Sequence, residues 1–348
     1  MASLDTEGHV TSDDDLDPPA TPGADQQPPP ARPGLNTFTI EGRAAPALFV
    51  VGWLTSILGL ALVVVGVLSQ SRLLVFVGAG FLSVGLVTGA GSQAIERRAR
   101  SEVYAGPSPI LVFVAAIAVA NFVGVILDLA LSVVFRDAGA AIRVPLGQLA
   151  QAVFMAAVFI GVVRLTVVGT GALSWTQMRL RRFDGRAAAD LAFGAAMALP
   201  IIAVTLAVAV VLVSLFRVVS PGPLPPTGTT TGLLIQLVAG AIIAPLAEEI
   251  IFRGFAISAW ERSIGTSRAV VRASILFALA HVISIQAGSF GEAIGLIVVG
   301  MGTRLPVAFA LGWLFVRRRS IWASVGLHAT FNGVLLVIAN ASVRAGGG

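Results

Sequence analysis

The sequence predicts an all-α fold: a polytopic transmembrane helix bundle of eight to nine spans, preceded by a disordered acidic tail. Three observations predict it. Of the 348 residues, 56% are hydrophobic and only 12% are charged, too few charges to cover a soluble fold. Mean hydropathy is +0.90. From Ala45 onward, apolar runs of about 16–27 residues alternate with short breaks rich in Arg or in Pro and Gly, the length that crosses ~30 Å of hydrocarbon.

Residues 1–44 contain Asp13-Asp14-Asp15, Pro18-Pro19 and Pro28-Pro29-Pro30. With so few core-forming side chains, they read as a solvated, disordered tail. They lack the basic start and apolar stretch of a signal peptide, and His9 within them is read as inert. The candidate spans are 45–68, 73–90, 109–135, 146–170, 191–216, 232–257, 269–284, 293–315 and 321–340. The seventh is short, and without it the bundle has eight. No β-alternation appears, and backbone inside a bilayer must satisfy its own hydrogen bonds, so the spans are helices.

The basic residues number 23 and every one is Arg. Residues 1–44 hold eight of the 18 acidic residues and only Arg32 and Arg43, so the rest of the chain is strongly basic. Those arginines cluster in short breaks between apolar runs, where they set topology and meet anionic lipid rather than nucleic acid. With the N-terminus cytoplasmic, the inner segments hold fourteen arginines and the outer ones five, which favours that orientation. The absence of Cys excludes disulfides, thiolate metal sites and Cys nucleophiles. All-arginine basic usage with abundant Ala, Val and Gly points to a GC-rich bacterial source, hence to a bacterial cell membrane.

Against this apolar background a few ionisable groups stand out. Each costs about 2.5–3.5 kcal/mol at a helix centre, so a cluster implies a role. Glu248, Glu249 and Arg253 fall within six residues. Glu249 and Arg253 are i,i+4 and can pair on one helix face. Glu248, about 100° around the helix, is the carboxylate left for other work. His281 ends the stretch Phe277-Ala278-Leu279-Ala280-His281, and His328 with Asn332 shares a face at i,i+4. Counted from the predicted cytoplasmic ends, Glu248, His281, His328 and Asn332 lie roughly 15, 18, 11 and 17 Å deep. Three helices can therefore deliver them to one layer. A carboxylate and an imidazole can deprotonate water, and an imidazole with an amide can stabilise an oxyanion. That set suits hydrolysis of an amide bond.

Glu248-Glu249-x-x-x-Arg253, Phe277-x-x-x-His281 and His328-x-x-x-Asn332 resemble the three motifs of the CAAX protease and bacteriocin-processing family of intramembrane endopeptidases. Phe252, Gly254, Leu311-Gly312-Trp313-Leu314-Phe315 and Ser320-Ile321-Trp322-Ala323 extend the likeness over roughly residues 232–340. The resemblance implies a catalytic core at 232–340, after helices without diagnostic motifs at 45–231 and before a tail at 341–348. It implies Glu248 as the base that activates water, assisted by His281. Glu249 and Arg253 would shape and charge-balance the site, and His328 and Asn332 would stabilise the oxyanion. It leaves the cofactor open: Zn²⁺ held by Glu248, His281 and His328, with Glu249 as base, or a metal-free, glutamate-dependent reaction. The implied substrate is a membrane-associated protein or peptide, reached from the cytoplasmic side. Two other readings are a proton-coupled transporter and a non-catalytic scaffold or immunity-type protein of the same fold. Of the lone groups, Asp128 and Arg164 are expected to pair or to be loosely solvated, ahead of a substrate role, Arg304 and Pro306 to mark a kink or a cavity-lining segment, and Arg272 to snorkel. Pro245 is expected to kink its helix and open backbone polar groups toward the site.

Overall fold

The computed structural model describes residues 42–136, 139–219, 225–283 and 285–346. The acidic tail expected at 1–44 lies outside them, apart from its last three residues. Nine helices follow one another among the described residues. They are α1 (Pro46–Leu68), α2 (Arg72–Ala99), α3 (Pro109–Val134), α4 (Ala140–Val163), α5 (Gly185–Phe216), α6 (Thr230–Ile264), α7 (Thr266–Ala280), α8 (Phe290–Arg318) and α9 (Ile321–Gly346). Eight are long and apolar enough to cross a membrane; α7, with 15 residues, falls short. Among the described residues there is no strand. The protein is an integral membrane helix bundle, as its composition requires.

Helix boundaries depart from the apolar runs where charged residues continue a helix beyond the hydrocarbon. The predicted loop 258–268 is helical on both sides, broken only at Gly265, whose φ of +81° few other residues tolerate. Likewise α2 runs on to Ala99, so that Glu96 at its end meets Arg43 at 2.7 Å. The last helix reaches Gly346, into the stretch the sequence marks as a tail.

Glycine sets the helix spacing. α1 and α2 pack along Gly52, Gly59 and Gly66 against Gly78 and Gly85; a Cβ on Gly78 would lie 2.7 Å from the Val63 nitrogen. Gly80 faces the Phe122 ring. α5 and α9 meet more tightly still. A Cβ on Gly194 would strike the Ala323 carbonyl oxygen, and one on Gly326 the Leu191 carbonyl oxygen. Small residues permit such approach where lipid supplies no hydrophobic drive between helices.

Polar bonds distinguish two ends of the bundle. At one end Arg179 binds Glu261 at 2.6 Å, and Arg181 and Arg318 both bind the buried Asp190 at 2.6 Å. There too the Trp322 indole donates to the Arg181 carbonyl, Arg98 donates to the Thr170 carbonyl, and the Phe315 ring stacks under Arg179. Burial pulls the Arg179 guanidinium below its ordinary value, an effect that Glu261 opposes. Trp175 and Trp322 pack at this end, as expected of an interfacial belt. At the other end Asn340 accepts from the Thr227 and Gly228 amides, Arg344 donates to the Gly228 carbonyl, and Gln236 joins Gln148 to the Pro225 carbonyl.

Gly326→Leu is expected to push α9 off α5 and destabilise the bundle by about 1–3 kcal/mol or more. Gly161→Ala, at an open position, should be neutral. Thermal unfolding of both variants in detergent checks this.

Candidate functional site

All six residues singled out in the sequence meet in the interior, but in two layers. Glu248, His281, His328 and Asn332 line one cavity of about 1450 Å³. Glu249 and Arg253 stand behind it, fully buried.

The α6 backbone explains how adjacent glutamates come to serve different layers. The helix is interrupted by π-helical turns at Val238–Ile243 and Ile250–Ile257, with a six-residue α segment, Ala244–Glu249, between them. Such insertions recur at functional sites. Pro245 has no N–H to close the turn on Gly240, whose carbonyl instead accepts from Asn332 Nδ2 at 3.0 Å. The expected opening of backbone polar groups at this proline is real, and it fixes the amide of α9.

Behind the cavity, Glu249 Oε1 accepts from Arg253 at 2.7 Å and from His328 Nδ1 at 2.8 Å. An ionised carboxylate only accepts, so His328 carries its proton on Nδ1 toward Glu249. His281, the residue that caps α7, places Nδ1 2.8 Å from the Phe277 carbonyl, which likewise can only accept. Both rings therefore turn Nε2 toward the cavity. There Glu248 Oε2 lies 3.8 Å from His281 Nε2 and 3.7 Å from His328 Nε2. It has no direct hydrogen-bond partner among the described residues.

Phe277 is the packing hub. Its ring lies 4.5 Å from the His281 ring, 5.6 Å from the His328 ring and 5.2 Å from Phe252, and the Arg253 guanidinium sits 4.4 Å above it. The motif phenylalanines thus hold the orientation of the polar groups. They also close the cavity floor, where Phe113 meets Phe252 at 5.3 Å.

Arg304 was expected, with Pro306, to mark a kink or a cavity-lining segment. In the structure it lines the same cavity, donates to the Gly300 carbonyl at 2.9 Å and is electrostatically coupled to Glu248. With Arg253 it balances the two glutamates. The expected Asp128–Arg164 pair is not formed among the described residues. Asp128 faces the cavity, whereas Arg164 is exposed at the π turn Arg164–Val168 that ends α4.

The zinc reading can be tested against this geometry. Glu248, His281 and His328 do converge, but among the described residues no three His, Asp or Glu side chains are arranged to hold a metal ion. The chemistry derived below uses side chains alone.

These features define a polytopic membrane protein with a buried carboxylate–imidazole site opening into a large intramembrane cavity. Residues 230–334 match the family model described as Type II CAAX prenyl endopeptidase Rce1-like. The match spans every site residue on α6, α7, α8 and α9, and it agrees with the family that the three motifs resemble. It supports the general class of CAAX-type intramembrane endopeptidase. No curated protein and no solved structure matches the chain.

Removing Arg253 would leave Glu249 buried with a single donor, and breaking such a pair typically costs about 3–5 kcal/mol. Arg253→Met should therefore lower thermal stability sharply. Arg253→Met with Glu249→Gln, which removes the stranded charge, should recover part of the loss.

Proposed function

We propose that the protein hydrolyses a peptide bond of a membrane-associated protein or peptide, with Glu248 as the base that activates water. The observation that carries this reading is the convergence of two imidazole Nε2 atoms on the Glu248 carboxylate at 3.7 and 3.8 Å. Neither gap is a hydrogen bond. A water molecule seated among the three can donate its O–H groups to Glu248 and to an imidazole Nε2, which meets the two to four polar partners an interior water needs.

In the reaction, Glu248 takes a proton from that water as its oxygen attacks the carbonyl carbon. The carbonyl π electrons move onto the oxygen, and a tetrahedral intermediate forms. Asn332, held by one amide hydrogen on Gly240, offers the other to the oxyanion. His328 has its Nδ1 hydrogen committed to Glu249, so it becomes an oxyanion donor only when Nε2 holds a proton. Its part thus runs through the proton that Glu248 removes. When the C–N bond breaks, the amine leaves with that proton and the site returns to its starting state. His281 assists by orienting the water, and Glu249 and Arg253 act as positioning residues.

The charge pairing speaks against a transporter, since Glu249 and Arg253 are locked together by a 2.7 Å bond rather than set out as a relay. A scaffold of the same fold would have no need of two imidazoles aimed at one carboxylate.

Glu248→Gln should keep the fold and lose cleavage of membrane peptides by about 10²–10⁴-fold, the usual contribution of a general base. Comparison of membrane peptidomes from wild-type and variant cells reads this out, and unchanged products contradict it. Cleavage by the purified protein should also survive a zinc chelator. Loss of activity on chelation, restored by added Zn²⁺, contradicts the metal-free route.

A further inference from the structure

We infer that the cavity takes its substrate from the extracytoplasmic side, and that this substrate is a membrane-proximal segment of an already translocated protein. The inference rests on the hydrolase reading above and adds the route and the class of substrate.

The two ends of the bundle differ in charge and in closure. The end where Arg43, Arg179, Arg181 and Arg318 form ion pairs also gathers Arg97, Arg98, Arg100, Arg182, Arg186, Arg262, Arg268, Arg317 and Arg319. The opposite end carries Arg72, Arg136, Arg143, Arg217 and Arg344. Such an excess marks the first end as cytoplasmic.

That cytoplasmic end is shut. The breaks at 100–108, 169–184, 265 and 319–320 contribute no residue to the cavity lining. Between them and the site lie the Phe113–Phe252–Phe277 floor and the Asp190 and Glu261 ion pairs. From that floor the lining runs the other way. It reaches Ser132 and Phe135 at the end of α3, Arg143 in the first turn of α4, and Val219 in the break after α5. All of these belong to the arginine-poor end.

The walls of this path fit a polypeptide better than a lipid tail. Asn121, Asp128, Arg143, Gln148 and Gln151 line it beside apolar side chains, and Asp128 is exposed within a span where a charge facing hydrocarbon would be costly. A wet, amphipathic passage of this size admits an extended chain with its backbone polar groups partnered. This route is opposite to the cytoplasmic access expected from the sequence. Glu248 lies near the middle of the 35-residue α6, so depth alone favours neither face.

The chain contains no Cys, so single cysteines can be introduced directly into the full-length protein. Thr303→Cys sits beside Arg304 in the cavity, Ser132→Cys marks the mouth, and Ser263→Cys marks the exposed arginine-rich end. A membrane-impermeant maleimide added to intact spheroplasts should label Thr303→Cys and Ser132→Cys fully, and Ser263→Cys only after permeabilisation. Failure to label Thr303→Cys from outside, or labelling of Ser263→Cys in intact spheroplasts, overturns the inference. Labelling needs no turnover. If Glu248→Gln abolishes cleavage while Thr303→Cys stays unreachable from outside, the route falls and the hydrolase reading stands.

Discussion

One buried carboxylate organises this protein. Glu249, fully shielded from solvent, accepts from Arg253 on its own helix and from His328 on α9. An ionised group in that setting is tolerable only with its charge met. The requirement fixes the rotation of α6, the tautomer of His328 and the distance between α6 and α9 together. Once Glu249 faces inward, Glu248 must project about a quarter-turn away, into the cavity. The adjacent glutamates therefore hold unlike posts: one is structural and dry, the other partly accessible and, among the described residues, without a direct hydrogen-bond partner.

The second constraint is backbone chemistry in a place that denies it water. Proline at 245 leaves a carbonyl unsatisfied, and the π turns on either side of Ala244–Glu249 change the helix phase. In hydrocarbon such defects survive only where protein groups resolve them. Asn332 does so for Gly240, which ties the amide to the same helix that carries the base. Phe277 does the corresponding work for the imidazoles, bonding one through its carbonyl and packing against both through its ring. The site thus forms where three helices correct each other's irregularities.

Much of this was legible in the sequence, and the reasons are physical. Charges within apolar runs are costly enough to announce themselves, so Glu248, Glu249, Arg253, His281, His328 and Asn332 could be picked out and grouped. The i,i+4 spacing gave the Glu249–Arg253 pair directly. Legibility failed where the answer depends on packing between distant segments. The partner of Asp128 is a cavity rather than Arg164, which no local pattern could reveal. Arg304 carries no motif, and only the approach of α8 brings it toward Glu248. The helix ends at 258–268 were not visible as apolar runs, because charged residues continue α6 until Gly265 breaks it. The side on which the cavity opens was likewise hidden, since it depends on which loops close over the floor.

Two imidazoles, each held through Nδ1, aim Nε2 at Glu248. Nitrogen NMR on histidine-labelled protein tests this directly, because the chain has three histidines and the two nitrogens of each ring give distinct signals. The Nδ1–H tautomer is expected for both His281 and His328, with Glu249→Gln perturbing His328 far more than His281. An Nε2–H tautomer at either ring, or a His328 signal indifferent to Glu249→Gln, would contradict it.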